Sequence, residues 1–130
     1  MSTRRTFQTG APWEPLVGYS RAVRVGNVVE VTGTVASDAS GTVMHPNDPY
    51  GQTKYALHKI AGVLKEAGAS VSDVVRTRMF VTDIARWEEY GRAHAEMFGT
   101  IRPCTTMVEV SRLIGPEFLI EIEATAIIEP

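Results

Sequence analysis

The chain has 130 residues, a formal net charge of −2 and 44% apolar residues, a composition typical of one globular domain with a single core. This slightly acidic balance gives no broad attraction to phosphate backbones, so we expect no nucleic-acid partner. One cysteine excludes an intrachain disulfide framework, and no metal-binding or phosphate-binding motif is present, so we expect neither a metal nor an organic cofactor. No apolar run reaches membrane-spanning length and the first residues lack a signal-peptide core, so we expect a cytoplasmic protein without a membrane partner.

Two β-branched segments form the first predicted structural unit. They run from Tyr19 to Val25 and from Val28 to Val35, and Gly26-Asn27 between them predicts a tight hairpin. A further short strand is expected near Phe7. Residues 36–47 are rich in Gly, Ser, Asp and Thr, which predicts a loop.

The next segment carries the start and stop signals of a helix. Asp48 suits the N-cap and Pro49 the first helical position. Gly68 is suited to ending the helix. The apolar residues between them recur at helical spacing: Leu57, Ile60, Ala61 and Leu64.

The second half of the chain predicts a strand, a helix and two more strands. The strand runs from Val74 to Val81, Asp83 suits the N-cap of the second helix, and Pro103 ends the connection to the last two strands. The apolar stripe of that helix contains Trp87, Tyr90, Gly91, His94, Met97 and Phe98. The element order predicts an α+β, two-layer fold in which both helices cover one face of a mixed sheet.

Alternation in the last two strands predicts a second functional face. The last strand alternates Ile120, Ile122, Ala124 and Ala126 with Leu119, Glu121, Glu123 and Thr125. The preceding strand alternates Thr106, Val108 and Val110 with Thr105, Met107 and Glu109. We expect the first-named row of each strand, from Ile120 to Ala126 and from Thr106 to Val110, to meet the helices. The mixed opposite rows suit an oligomer interface or a lined cleft, so we expect self-association.

The most specific signal is the C-terminal strand-turn-strand. Residues 101–113 read IRPCTTMVEVSRL, and residues 119–124 read LIEIEA. With GYSRAVRVGN at 18–27, QTKYAL at 52–57 and FVTD at 80–83, this block resembles the Rid family (reactive intermediate deaminases, also called the YjgF family), small proteins that hydrolyse imines released by amino-acid metabolism. The resemblance covers nearly all of residues 1–130 as one domain. It implies a chorismate-mutase-like fold, related to the ferredoxin-like fold, and a homotrimer with three clefts between subunits.

The resemblance also implies which residues line each cleft. In the family these are a tyrosine of the first strand, an arginine two residues after the proline, the residue two further on and a glutamate of the last strand. The matching positions here are Tyr19, Thr105, Met107 and Glu121. The neighbouring subunit adds residues of the second strand and second helix, which match Thr32, Gly33 and Gly91. Threonine therefore replaces the family's arginine, and glycine replaces a common asparagine, which implies a roomier and less cationic cleft.

The arginine position matters because an imino acid carries a carboxylate. A guanidinium group binds a carboxylate through two charge-assisted hydrogen bonds, whereas Thr105 offers one hydroxyl and no charge. Recognition of an anionic substrate should weaken by roughly 1.5–3 kcal/mol, the range for hydrogen bonds to charged groups. Arg102 is the nearest basic residue in sequence, but Pro103 separates it from the strand, and we expect it to cap the preceding helix or lie on the surface.

Three side chains have both a functional and a structural interpretation. Glu121 is the candidate catalytic residue, because a carboxylate in a partly dry cleft can orient or deprotonate water. Its alternative role is a cross-strand ion pair with Arg76, Arg78 or Arg112. Tyr19 is either a ligand contact or an interface rim residue, and His94 is either a packing residue or a proton carrier. Glu123 is interpreted as structural.

Three functions follow for the chain. The first is a trimer that binds a small imine, enamine or carbonyl metabolite and hydrolyses it, with Glu121 at the reacting centre. The second is a non-catalytic ligand-binding or regulatory trimer, which the replacements at Thr105 and Gly91 favour. The third is ribonuclease activity or translation inhibition, which is attributed to some relatives of the family but finds no basic, base-stacking motif here.

Overall fold

A computed structural model describes residues 3–130 of the chain. The strands of this part of the chain are β1 (Arg4–Phe7), β2 (Ala22–Val25), β3 (Val28–Thr34), β4 (Val74–Val81), β5 (Cys104–Glu109) and β6 (Ile120–Ile127). The helices are α1 (Trp13–Val17), α2 (Pro49–Glu66) and α3 (Trp87–Phe98). The predicted order of elements is confirmed, including a short strand at Phe7. Helix α1 was not predicted, because five residues are too few to show a helical period.

The strands form one mixed sheet in the order β1-β2-β3-β6-β4-β5. Neighbouring strands are antiparallel except β4 and β5, which are parallel. This pair is parallel because α3 carries the chain back across the sheet between the two strands. Helices α2 and α3 pack against each other, and α2 also packs against β3 and β6, so both long helices cover one face. The predicted two-layer α+β arrangement is confirmed.

Helix α2 begins and ends where its terminal residues predict. The Asp48 carboxylate accepts a hydrogen bond from the Gly51 amide at 3.0 Å, and Pro49 is the first helical residue. Gly68, just beyond the helix, has a φ of 87°, a left-handed conformation that glycine adopts without strain. The buried apolar face of α2 includes Leu57, Ile60 and Leu64. These residues place α2 over the centre of the sheet.

Two elements start more than one residue later than predicted. β2 begins at Ala22 rather than Tyr19, because the chain leaves α1 through Gly18 in a left-handed conformation and joins the sheet only afterwards. Asp83 caps a short 3-10 turn rather than the long helix. Its carboxylate accepts from the Ala85 amide at 3.1 Å, and α3 starts at Trp87.

The predicted orientation of β5 is wrong. Thr105 pairs with Thr77, and Met107 pairs with Met79, both of which are buried residues on the helix-covered face of β4. The row of Thr105, Met107 and Glu109 therefore faces the helix layer, and Val108 lies on the other face beside Phe80. Apolarity did not distinguish the two rows, because β5 is an edge strand and even its helix-facing row is only partly buried. For β6 the prediction is confirmed, since its apolar row is buried.

Candidate functional site

Glu121 lies on the face of the sheet opposite α2 and α3, which we call the open face. It pairs with Phe80 of β4, and Phe80 pairs in turn with Val108 of β5. One step along the strands, Glu123 lies beside Arg78, with 3.7 Å between the carboxylate oxygen Oε1 and Nη1. Among residues 3–130 no ion pair involves Glu121. The alternative role of Glu121 as an ion-pair partner of Arg76, Arg78 or Arg112 is therefore not seen, and Glu123 has the structural role that was expected.

A bulge in β3 makes room for the Glu121 side chain. The register between β3 and β6 shifts between Val31 and Thr34, so that Thr32 and Gly33 form the irregular segment. A Cβ atom at Gly33 would lie 2.9 Å from Glu121 Cδ and would overlap the carboxylate. Only glycine leaves this space free. Thr32, Gly33 and Glu121 therefore come together within one chain, although the resemblance assigned the first two to a neighbouring subunit.

The surroundings of Glu121 favour its protonated form. Burial raises the pKa of Glu121, the charge of Glu123 raises it further, and the charge of Arg21 opposes both. A carboxyl group with a raised pKa is a better proton acceptor at neutral pH than an ordinary glutamate, provided that it is still ionised. Glu121 is thus suited to removing a proton from water.

Arg21 supports the bulge and was not anticipated from the sequence. Its Nη1 donates to the Gly33 carbonyl at 3.1 Å and to Thr34 Oγ1 at 3.2 Å. The guanidinium carbon lies 5.8 Å from the centre of the Tyr19 ring. Arg21 therefore links Tyr19 to the segment that borders Glu121. The sequence showed only an arginine within a predicted β-branched strand. Arginines in such strands are commonly exposed, so the sequence did not predict this contact.

Glu14 of α1 is the second residue that sequence reasoning missed. Its side chain is 3% exposed, and its Oε2 lies 3.9 Å from Arg21 Nε. Thr9 donates to it twice, from the amide at 3.1 Å and from the hydroxyl at 2.6 Å. Burial by itself would raise the pKa of Glu14, but the hydrogen bonds from Thr9 and the charge of Arg21 outweigh it and lower the pKa. The ionised Glu14 compensates the buried charge of Arg21.

Tyr19 and Thr32 border a concave surface on the same side of the sheet. The concavity is also lined by Glu30, Arg78 and Glu123. Gly33 and Glu121 are not among its lining residues; Thr32 precedes Gly33 in the chain, and Arg21 contacts both Tyr19 and Gly33. We call Tyr19, Thr32, Gly33 and Glu121 the glutamate half-site.

The other predicted site residues lie on the helix-covered side. The Thr77 hydroxyl donates to Thr105 Oγ1 at 2.7 Å and lies 2.8 Å from His94 Nε2. Met107 packs at the border of the core, and Gly91 lies half-buried on α3. We call Gly91, His94, Thr105 and Met107 the threonine half-site.

Arg102 does not supply the positive charge that Thr105 lacks. Its Nε donates to the Gly99 carbonyl at 3.1 Å, beyond the end of α3. Its φ of 54° places it in a tight turn. The expected capping role is confirmed.

The two half-sites belong to opposite faces of the sheet. Thr105 and its pairing partner Thr77 lie on the helix-covered face, where Thr77 bonds to His94 of α3, whereas Glu121 and its pairing partner Phe80 lie on the open face. One chain therefore does not bring Glu121 to Thr105. Within residues 3–130, no group of three His, Cys, Asp or Glu side chains is arranged to hold a metal ion, and no helix has the length and apolarity needed to cross a membrane.

Comparisons with known proteins agree with this architecture. The protein family described as Endoribonuclease L-PSP matches residues 9–128. Rv2704 of Mycobacterium tuberculosis, a member of the YjgF/YER057c/UK114 family, has a crystal structure with a TM-score of 0.88 and 50% identity, covering 96% of this chain and 99% of that one. YyfA of Yersinia pestis, from the conserved Rid protein family, has a TM-score of 0.85 and 30% identity, covering 96% and 99%. The 3-aminoacrylate deaminase RutC of Acinetobacter baylyi is 35% identical over 86% of this chain and 88% of its own.

By its architecture, the chain is a two-layer α+β protein with the chorismate-mutase-like fold. The chain belongs to the Rid family, also called the YjgF family. The resemblance found in the sequence is thereby confirmed.

Proposed function

We propose that the chain is a cytoplasmic, homotrimeric hydrolase that converts a small imine or enamine into a carbonyl compound and ammonia, in clefts between subunits. The observation that carries this proposal is Glu121, a half-buried carboxylate with a raised pKa and no ion-pair partner among the described residues, next to a glycine that leaves it room. Buried carboxylates without a structural partner are candidates for acid–base catalysis.

The location of the cleft between subunits rests on the separation of the two half-sites. Glu121 faces the open side of the sheet, and Thr105 lies on the exposed edge strand β5. The open face also exposes apolar side chains, among them Val108 at 43%. A second copy that covers this face would bury those side chains and bring its own edge strand to Glu121. The threonine half-site of one subunit would then complete the glutamate half-site of another.

The chemistry requires water to attack the carbon of the C=N bond. In the proposed reaction Glu121 accepts a proton from water as the water oxygen bonds to that carbon, and it then returns this proton to the substrate nitrogen. In the resulting carbinolamine, Glu121 transfers the hydroxyl proton to the amino group as the C–N bond breaks, which releases ammonia, leaves a carbonyl group and restores the ionised carboxylate. An enamine enters the same route after tautomerising to its imine. The relative named 3-aminoacrylate deaminase supports this substrate class, because an aminoacrylate is an enamine.

A direct assay of imine turnover tests the proposal. A pyridoxal-phosphate-dependent dehydratase generates 2-iminobutanoate in solution, and its decay is followed with the wild type, Glu121→Gln and the matched control Glu123→Gln. We expect acceleration by the wild type and by Glu123→Gln, and a loss of 10²-fold or more in Glu121→Gln. Equal rates for all three proteins and for buffer would contradict the proposal for this substrate.

A non-catalytic ligand-binding trimer is the second candidate, favoured by Thr105 and Gly91 in place of arginine and asparagine. Its signature is a metabolite that raises the melting temperature without being consumed. A carbonyl compound that stabilises both the wild type and Glu121→Gln, with no imine turnover by either protein, would favour this function.

Ribonuclease activity is the third candidate, favoured by the description of the matching family. It predicts RNA cleavage that remains through repeated purification and disappears in Glu121→Ala. Cleavage that is lost on purification, or that Glu121→Ala retains, would exclude it.

A further inference from the structure

A chain of hydrogen bonds connects the protein interior to the exposed residue at the family's arginine position. His94 is 9% exposed and packs against the Phe98 ring, with 4.7 Å between ring centres. Its Nε2 lies 2.8 Å from the hydroxyl of Thr77, a fully buried residue, and that hydroxyl donates to Thr105 at 2.7 Å. Thr105 itself is exposed on the edge strand. We call these three residues the relay.

The geometry determines the direction of the hydrogen bonds. A threonine hydroxyl has one proton, so while Thr77 donates to Thr105 its oxygen can only accept from His94. His94 must then carry a proton on Nε2. Because the Thr105 oxygen already accepts from Thr77, its own proton is directed elsewhere. The outer end of the relay thus presents the Thr105 proton as a hydrogen-bond donor, and the Thr105 oxygen keeps one free lone pair.

Within residues 3–130 of the same chain, no positive charge accompanies this donor. Arg21, which supports the glutamate half-site that would face it, is already paired with Glu14. Burial lowers the pKa of His94, and no charged neighbour contributes to the shift, so the imidazole is neutral at pH 7. The charged side chains of β4, Arg76 and Arg78, belong to the rows of the open face. Arg102 is turned to the end of α3, where it bonds to Gly99.

We propose that the relay of His94, Thr77 and Thr105 is a specificity determinant that selects substrates presenting an uncharged carbonyl group, such as an amide or an ester, over those presenting a carboxylate. This inference rests on the proposed function, since it places Thr105 in the cleft. A single neutral donor matches the needs of a carbonyl oxygen. A carboxylate at the same place would lose solvation without meeting a compensating charge.

Binding of two stable carbonyl analogues tests the inference. The dissociation constants of 2-oxobutanamide and 2-oxobutanoate are measured by calorimetry for the wild type, Thr77→Val and Thr77→Ser. We expect the wild type to bind the amide about tenfold more tightly than the acid. Thr77→Val removes the central hydroxyl at similar volume and should bring the ratio to within about twofold of unity. Thr77→Ser retains the hydroxyl and should preserve the preference.

The tautomer of His94 provides a readout that a purely structural histidine would not give. Nitrogen-15 NMR of the imidazole should show the Nε2–H form in the wild type and in Thr77→Ser, with a larger share of that form when the amide is added. In Thr77→Val, Nε2 loses its partner, and the amide should leave the tautomer populations unchanged.

The inference is overturned if the acid binds as tightly as the amide, if Thr77→Val keeps the wild-type ratio, or if neither analogue binds. The imine assay separates this failure from that of the proposed function. Turnover that depends on Glu121 without amide preference refutes the relay alone. Amide preference without turnover of any imine, including 2-imino amides, refutes the catalytic function alone.

Discussion

The side chain of Glu121 and the missing side chain of Gly33 depend on each other. The carboxylate occupies the space where any Cβ at position 33 would lie, and the bulge that carries Gly33 is held by the hydrogen bond from Arg21 to its carbonyl. The same enclosure that gives Glu121 its raised pKa makes the ionised form costly for the fold. Activity and stability should therefore respond in opposite directions at this residue.

Glu121→Gln is expected to lower kcat by about 10²–10⁴-fold, the usual contribution of a general base. It should also raise the stability at neutral pH, within the range of about 0.5–2 kcal/mol that single stabilising substitutions commonly give. The sign follows from the pKa: a carboxyl group whose pKa is raised by folding favours the folded state when protonated and loses that contribution as the pH rises through its folded pKa. The stability difference between the variant and the wild type should therefore grow between pH 4 and pH 7.5 in denaturant titrations.

The activity of the wild type should fall as the pH is lowered through the raised pKa of Glu121, because only the ionised carboxylate accepts a proton. Glu123→Gln is the matched control. It removes an exposed pair with Arg78 that is worth at most about 1 kcal/mol, and, because the charge of Glu123 raises the pKa of Glu121, it should move the fall in activity to lower pH without abolishing turnover at neutral pH. A Glu121→Gln variant as active as Glu123→Gln would argue against a catalytic role.

Gly33→Ala is expected to lower both stability and activity. The added methyl group overlaps the Glu121 carboxylate, so the side chain or the bulge must move, at a cost of about 1–3 kcal/mol. Gly62→Ala is the matched control, because its Cβ meets no atom within 4 Å and it lies in α2, where alanine is favoured by about 0.5–1 kcal/mol. Thermal unfolding of the two variants should shift in opposite directions, and a neutral Gly33→Ala would show that Glu121 is free to move.

At the level of elements, α2 is connected to the end of β3 by a half-buried lysine. Lys59 Nζ donates to the Val35 carbonyl at 2.8 Å and to the Ser37 carbonyl at 3.0 Å. These carbonyls follow directly after the segment that contains Gly33. Burial lowers the pKa of Lys59 to about 8, the charge of Arg21 lowers it further, and Asp38 opposes the shift. The helix thus holds the chain where it leaves the strand of the glutamate half-site.

Lys59 is expected to make stability increase with pH in the alkaline range. Its folded pKa of about 8 lies below the ordinary lysine value of 10.5, so the unfolded chain holds this proton more tightly. The stability that the titration of Lys59 contributes is complete above about pH 10.5 and is lost as the pH falls through about 8. Lys59→Met removes the titration, so the difference in free energy of unfolding between the wild type and Lys59→Met should shift towards the wild type from pH 7.5 to 10. A constant difference would contradict the depressed pKa.

At the level of the whole molecule, α2 and α3 leave the open face uncovered in the described chain, and β5 forms one edge of the sheet while β1 forms the other. The helices cover the opposite face, and β5 has a sheet neighbour on one side only. Val108 and Glu121 lie on the open face in rows that cross β6, β4 and β5. Trimer formation, which we propose, would cover this face and supply the second half of each cleft.

Val108→Arg is expected to disrupt the proposed trimer, because it places a charge on a face that assembly would bury. Sedimentation equilibrium should give three times the mass of one chain for the wild type and a lower mass for the variant. His58→Arg introduces the same side chain at an exposed position of α2 and should leave the mass unchanged. A wild-type monomer, or a Val108→Arg trimer, would argue against this interface.

Local signals were sufficient for most of the fold. The hairpin at Gly26-Asn27, the cap at Asp48 and the alternation of β6 each depend on neighbours within a few residues, and each is confirmed. The orientation of β5 could not be obtained in this way, because both of its rows mix polar and apolar residues. Which row of β5 lies on the helix-covered face depends on its pairing with Thr77. Thr77 is distant in sequence and lies beside β5 only because α3 carries the chain back across the sheet.

The candidate site likewise divides into features that the local sequence predicted and contacts between distant segments that it did not. The residue types at Glu121 and Thr105 were readable from the resemblance, whereas the contacts of Arg21 with Gly33 and Glu14, and of His94 with Thr77, join separate segments. By itself the sequence determined the family, the element order and the absence of an arginine at position 105, because these are encoded in local pattern and residue identity. Only the tertiary structure decided that Glu121 and Thr105 lie on opposite faces of the sheet, because facing depends on strand register and on which surface the helices bury.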